Sequence, residues 1–245
     1  MKFINRSIFL ALGVWLLSAC SKNDYFNDTG KAEPNFNGTI MQYLQSKPEY
    51  FDSLVKIINI AGYADVLNRE NITFFAPADS SIKLSLRLAN EMRDSYGKPR
   101  ISSVAQIDPA IWRKYLSRYI FDFSSALNDF PQIDFGAITS YPGRMYKAHS
   151  GEFLNIGVIY DDLENTNSAN GTTVTIKYAG YRHLAISYLN SPFSPTEVGT
   201  WTRADISTAN IKPKNGFVHI IKYSNHRFGF SEQQFSQDVA LFNNF

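Results

Sequence analysis

Only one cysteine occurs in the 245 residues, and it lies at position 20, directly behind an apolar run. No disulfide can form within the chain, so its fold must be held by a hydrophobic core, hydrogen bonds and ion pairs alone. The run itself, Ile8 to Leu17, comes after Lys2 and Arg6 and ends at the small residues Ser18 and Ala19. A short basic segment, an apolar core and small residues at its end are the layout of a secretory signal. The run is too short for a permanent span, which needs about 20 apolar residues. The chain beyond the cysteine is long enough for one domain with a proper core.

Leu17-Ser18-Ala19-Cys20 resembles a bacterial lipobox. The resemblance implies that the signal, residues 1–19, is removed and that Cys20 carries lipid on its thiol and on the new amine. Stable anchoring takes roughly two acyl chains, each buried CH₂ adding about 0.8 kcal/mol, so such an anchor ties the protein to a membrane. The alternative is an ordinary signal with a chance cysteine. Ser21-Lys22-Asn23-Asp24 loosely resembles the short tags that send Gram-negative lipoproteins to the outer face of the outer membrane. The expected localisation is therefore the outer membrane, facing the cell exterior, with a periplasm-facing envelope-assembly role as the alternative. Removal of residues 1–19 leaves 22 basic and 22 acidic residues, a balance near zero. No polybasic surface is implied, and nucleic acid is not an expected partner.

Residues 20–37 are polar, contain Gly30 and Pro34, and read as the lipidated cysteine plus a flexible tether. Thr39 is placed to cap a short helix over Ile40 to Gln45. Pro48 suits the first turn of a second helix, on which Phe51, Leu54, Val55, Ile58 and Ala61 form one face before Gly62 closes it. Tyr63 to Leu67 reads as a further short turn. Asn71 to Ala76 is β-rich and Pro77 ends it, since proline cannot donate to a ladder. Asp79-Ser80 is expected to cap a helix through Ile82, Leu84, Leu86, Leu88 and Met92. Asp108-Pro109 starts another, with Ile111, Trp112, Tyr115, Leu116 and Tyr119 along one side. Strands are expected at Phe135–Thr139, Arg144–Ala148, Phe153–Tyr160, Val174–Tyr178, His183–Tyr188 and Gly216–Tyr223, with turns at Asn170-Gly171 and Asn215-Gly216. Helices first and antiparallel strands later make an α+β domain.

Two separated segments together resemble the signature blocks of the fasciclin domain. Asn71-Ile72-Thr73-Phe74-Phe75-Ala76-Pro77-Ala78-Asp79-Ser80-Ser81-Ile82 resembles the first, and Asn215-Gly216-Phe217-Val218-His219-Ile220-Ile221 the second. Tyr115 to Phe121 occupies the place of the family's Tyr-His segment, but Ile120 stands where the histidine is expected. The integrin recognition linked to that segment in animal relatives is therefore not carried over. The resemblance covers residues 38–224 and leaves 225–245 as a C-terminal extension. It implies a wedge-shaped β-sandwich with helices from the N-terminal half packed on it, and a role in adhesion or in glycan or protein binding. An accessory role in an outer-membrane nutrient-uptake complex is one setting for such a lipoprotein.

Catalytic signatures are missing. There is no Gly-x-Ser-x-Gly elbow, no phosphate-cradling loop and no His-Glu-x-x-His pair. His149, His183, His219 and His226 are scattered, and no cofactor or metal is expected. Asp161 to Asn167 is rich in oxygen ligands but lacks EF-hand spacing, and reads as a solvated hairpin loop. The binding candidates are Trp201 and Tyr119, aromatics able to stack on a sugar ring if they reach the surface, with burial in the core as the alternative for Trp201.

Overall fold

The structure is a computed structural model that describes residues 34–243 except Glu70 and residues 191–193. Cys20, the signal and most of the tether lie outside the described residues.

The chain is α+β. Helix α1 (Ile40–Gln45) opens with a capping box: the Thr39 hydroxyl accepts the Gln42 N–H, and the Gln42 side chain accepts the Thr39 N–H. Helix α2 (Pro48–Ala61) buries Phe51, Leu54, Ile57, Ile58 and Ala61 and ends on Gly62. A 3₁₀ turn, Val66–Asn68, then leads into strand β1 (Ile72–Ala76), buried along its whole length.

Helix α3 (Asp79–Ser95) comes next, but Asp79 does not cap it. Its carboxylate accepts the N–H groups of Ser53 and Leu54 in α2 instead, at 2.8 and 3.0 Å, and so joins the two helices. The inward face of α3 is Ile82, Ser85, Ala89 and Arg93, while Leu84, Leu88 and Met92 are half-buried. The small side chains leave room for the C-terminal segment: the Ser85 hydroxyl accepts the Phe228 N–H (2.9 Å), and buried Arg93 donates to the Val239 carbonyl (3.0 Å). Helix α4 (Pro109–Leu116), capped by Asp108, buries Ile111, Trp112, Tyr115 and Leu116.

The remaining strands are β2 (Ile120–Phe121), β3 (Arg144–Lys147), β4 (Phe153–Tyr160), β5 (Leu163–Thr166), β6 (Thr173–Ile176), β7 (Arg182–Leu189), β8 (Trp201–Ile211) and β9 (Gly216–Ile221). Seven form one sheet in the order β2-β1-β9-β8-β7-β4-β3, and β5 and β6 pair by themselves as an exposed hairpin turning at Asn170-Gly171. All neighbours are antiparallel except β1 and β9, which run parallel with Ile72 opposite Gly216 and Ala76 opposite Ile220. The eleven-residue β8 pairs with β7 through Trp201–Asp205 and with β9 beyond Ile206, where the register shifts twice.

The strand expected at Phe135–Thr139 is a run of turns. Its N–H groups bond locally, Ala137 to Asp134 and Ser140 to Ala137, so Phe135 and Ile138 pack as loop residues. The segment around Ile133 runs along the edge of β4 beyond β3, with Ile133 donating to the Val158 carbonyl and Val158 to that of Pro131. A Cβ on Gly157 would stand 2.5 Å from the Ile133 Cβ, so only a glycine allows that approach.

Two residues of the second motif lock the fold. A Cβ on Gly216 would lie 1.7 Å from the Ile72 carbonyl oxygen. The Asn215 side chain accepts the Ile40 N–H (2.8 Å) and donates to the carbonyls of Leu67 and Arg69 (2.8 and 2.7 Å). Residues 225–243, beyond the motif, share the main core. Phe228, Phe230, Phe235 and Val239 are buried there, and helix α5 (Glu232–Gln237) packs against α3. Asn243 accepts the Asp108 N–H, and Asp238 accepts both the Tyr115 hydroxyl and Lys114.

Candidate functional site

Tyr119 is fully buried. Its ring stacks between Phe228 and Phe230, its hydroxyl accepts the Gly229 N–H (2.6 Å), and the same oxygen lies 2.8 Å from Nε2 of buried His226. Trp201 is 9% exposed, donates its indole N–H to the Ser194 carbonyl (2.9 Å) and packs with Ile133 and Leu189 in a small cluster on the outer side of the sheet. Large aromatics carry a great deal of apolar area and fall inward when a core is available. The two candidates do not meet each other, and neither is among the residues that line the groove nearby.

That groove, about 410 Å³, opens where β4 begins and β7 ends, between Met145, Glu152, Phe153, Tyr188 and Leu189. Its size is within the roughly 300–1,000 Å³ usual for small-molecule sites. Leu189 pairs with Trp201 across the β7–β8 ladder, and Tyr188 stacks on Phe230, which in turn stacks on Tyr119. Trp201 and Tyr119 thus stand behind the walls. The exposed aromatic is Phe153, at 55%.

At one end of the groove is a charged constellation drawn from four parts of the fold. Arg118, 2% exposed, lies just past the end of α4. Its Nε and Nη2 donate to Glu152 Oε2 and Oε1 at 2.8 and 3.0 Å, and its Nη1 donates to the Gly229 carbonyl (2.6 Å). The guanidinium carbon lies 4.3 Å from the Tyr188 ring centre and 4.8 Å from that of Tyr115. The Tyr188 hydroxyl donates to Glu152 Oε1 (2.9 Å). Burial pushes the Glu152 carboxyl up, but the Arg118 bond and charge, with the Tyr188 hydroxyl, outweigh it and hold the group below the usual carboxylate range. Glu152 is therefore ionised at neutral pH, an acceptor with no proton to give.

A second groove, about 440 Å³, lies between α3 and α5 over Leu88 and Met92. Its rim carboxylates, Glu91 and Glu232, face Arg87 and Arg227 of their own surroundings, and no buried charged pair enters it. Among the described residues no three His, Cys, Asp or Glu side chains gather as a metal site, and no helix is long and apolar enough to cross a membrane. The Asp161 region forms the foot of the β5–β6 hairpin, where Asp162 accepts Lys177 and the Tyr178 N–H.

Sequence reasoning missed Arg118, Glu152, Phe153 and Tyr188 as a group. Arg118 and Glu152 are 34 positions apart and meet only once β3 and β4 form. The available signal was an arginine on the apolar side of a helix end, beside Tyr119.

No family model matches the chain, and no curated protein does. Among solved structures it is similar to a FAS1 domain pair from the insect cell adhesion molecule fasciclin I, at 12% identity and a TM-score of 0.36, over 78% of this chain and 45% of that one. The chain thus spans less than half the length of that structure.

Proposed function

We propose that this chain is a non-enzymatic outer-membrane lipoprotein, anchored through Cys20, whose fasciclin-like domain binds a glycan or protein partner at the cell surface and serves adhesion or a nutrient-uptake complex. The observation that carries the binding reading is the Phe153 groove: an open, aromatic-walled site whose one carboxylate is ionised and held by Arg118 and Tyr188. General acid catalysis needs a carboxyl with a raised pKa, and Glu152 is shifted the other way.

The fasciclin-like reading is supported by the position of its two motif segments, which are adjacent parallel strands in register. The wedge-shaped sandwich belongs to the same reading, with the shifts in β8 as the place where the layers part.

Palmitate labelling of the wild type against Cys20→Ala, joined to protease shaving of intact cells, tests the anchor and the exposure. Labelling lost in the variant and a wild type cut on intact cells are the expected results. Equal labelling of both removes the anchor, and resistance to shaving replaces surface binding with a periplasm-facing envelope role.

A further inference from the structure

We propose that the Phe153 groove is a binding site for a neutral saccharide, seated with the C–H face of a sugar ring against Phe153 and a ring hydroxyl donating to Glu152 Oε2. This rests on the reading of the domain as a binding module.

Exposure of one phenylalanine is ordinary in itself. What sets Phe153 apart is the oriented carboxylate beside it. Glu152 Oε1 accepts two hydrogen bonds, from Arg118 Nη2 and the Tyr188 hydroxyl, whereas Oε2 accepts one, from Arg118 Nε. A carboxylate oxygen can accept two, so Oε2 retains a place for one more donor. The ligand must therefore donate there, which leaves hydroxyl and ammonium groups.

Charge decides between them. Arg118 already neutralises Glu152, and Lys147, exposed and paired opposite Phe153 across the β3–β4 ladder, adds a positive rim. A cation would find no unbalanced negative charge beside Arg118, and a carboxylate ligand would meet Glu152 without a proton to offer. An uncharged ligand with hydroxyls on its edge and apolar C–H groups on its face satisfies both walls, since Met145, Leu189 and the aromatic rings offer only apolar contact. The site is also rigid before any ligand arrives. Arg118 is fixed by the Gly229 carbonyl and by two tyrosine rings, and Tyr188 is backed by Phe230. Pre-set polar groups avoid the ordering cost that weakens recognition of flexible sites.

The full chain is titrated calorimetrically with cellohexaose, maltohexaose, mannohexaose and xylohexaose, and with polygalacturonate as the acidic arm, at low salt and at about 0.15 M salt. Saturable binding of at least one neutral oligosaccharide is expected, insensitive to salt. Phe153→Ala should lower its association constant at least ten-fold with an unchanged melting temperature, and Phe153→Trp should restore it. Silence of every neutral oligosaccharide overturns the proposal, as does wild-type affinity in Phe153→Ala, or binding of polygalacturonate alone that salt abolishes. Surface-exposed protein with no saccharide binding removes this proposal and leaves the surface-binding reading standing. Saccharide binding by a chain that resists shaving does the reverse.

Discussion

The hydroxyl of Tyr119 lies 2.8 Å from Nε2 of His226, with both side chains fully enclosed. The motif position after Tyr119 holds Ile120, so a histidine reaches this tyrosine from 107 residues away rather than from the next position.

Both fully buried histidines make the fold acid-sensitive. Burial pushes His219 down to about 4, against a bond to the Ser125 carbonyl, and burial with the Arg227 charge pushes His226 down to about 3. The unfolded chain protonates both near pH 6.5, so between that value and about 4 it binds more protons than the folded one. Stability is then complete above pH 6.5 and falls with pH by about 1.4 kcal/mol per unit for each histidine. Urea midpoints measured from pH 7.5 to 4 should show this slope, and His226→Asn should roughly halve it, leaving the His219 share. A level profile in the wild type would refute the assignment.

Removing Glu152 leaves the Arg118 guanidinium buried without its main partner. Breaking a buried pair from one side costs about 3–5 kcal/mol, and the partial exposure of Glu152 (36%) places Glu152→Ala toward the lower end, about 2–3 kcal/mol. Tyr188→Phe loses the hydroxyl's bond to Glu152 and the longer one it accepts from Arg118 Nη2, and keeps the ring over Arg118, for about 1 kcal/mol. Chemical denaturation should rank the two in that order.

Gly216→Ala drives a methyl into the Ile72 carbonyl and parts β1 from β9. The expected loss exceeds about 4 kcal/mol, in the class of severe backbone lesions. Gly97→Ala, at positive φ but with nothing within 4 Å, should cost only about 1 kcal/mol. Thermal melts of the pair separate steric conflict from the general cost of replacing a glycine.

Asn215→Ala strands one N–H and two carbonyls in α1 and around the Val66–Asn68 turn. With about 1–3 kcal/mol for each buried group left unpaired, a loss of about 3 kcal/mol or more is expected in urea unfolding. Equal stability of variant and wild type would show that water replaces the amide.

Local signals made the helical half readable. The Thr39 cap, Pro48, Gly62 and Asp108-Pro109 act within a few residues of themselves, and the structure starts or stops a helix at each. Strands with clear apolar alternation, Phe153–Tyr160 above all, were equally plain. The long β8 was not, because its buried residues, Trp201, Ala204, Ile206 and Ile211, come at uneven intervals and its ladder shifts. Phe135–Thr139 misled in the opposite sense: its apolar residues serve a surface cluster that needs no strand. The groove was hidden for a different reason. Arg118, Glu152 and Tyr188 carry no common motif, and only the β4–β7 register and the return of the chain at Gly229 bring them together.

Strand β1 sits between β2 and β9, and its parallel partner begins 144 positions later, at Gly216 opposite Ile72. A chain emerging in order from the ribosome therefore cannot complete its sheet until Gly216–Ile221 has arrived. Loop closure over such a distance is slow, and until then β1 presents an open apolar edge. The same pairing that unites the two motif segments thus keeps the polypeptide threadable during synthesis and makes late truncations prone to aggregation.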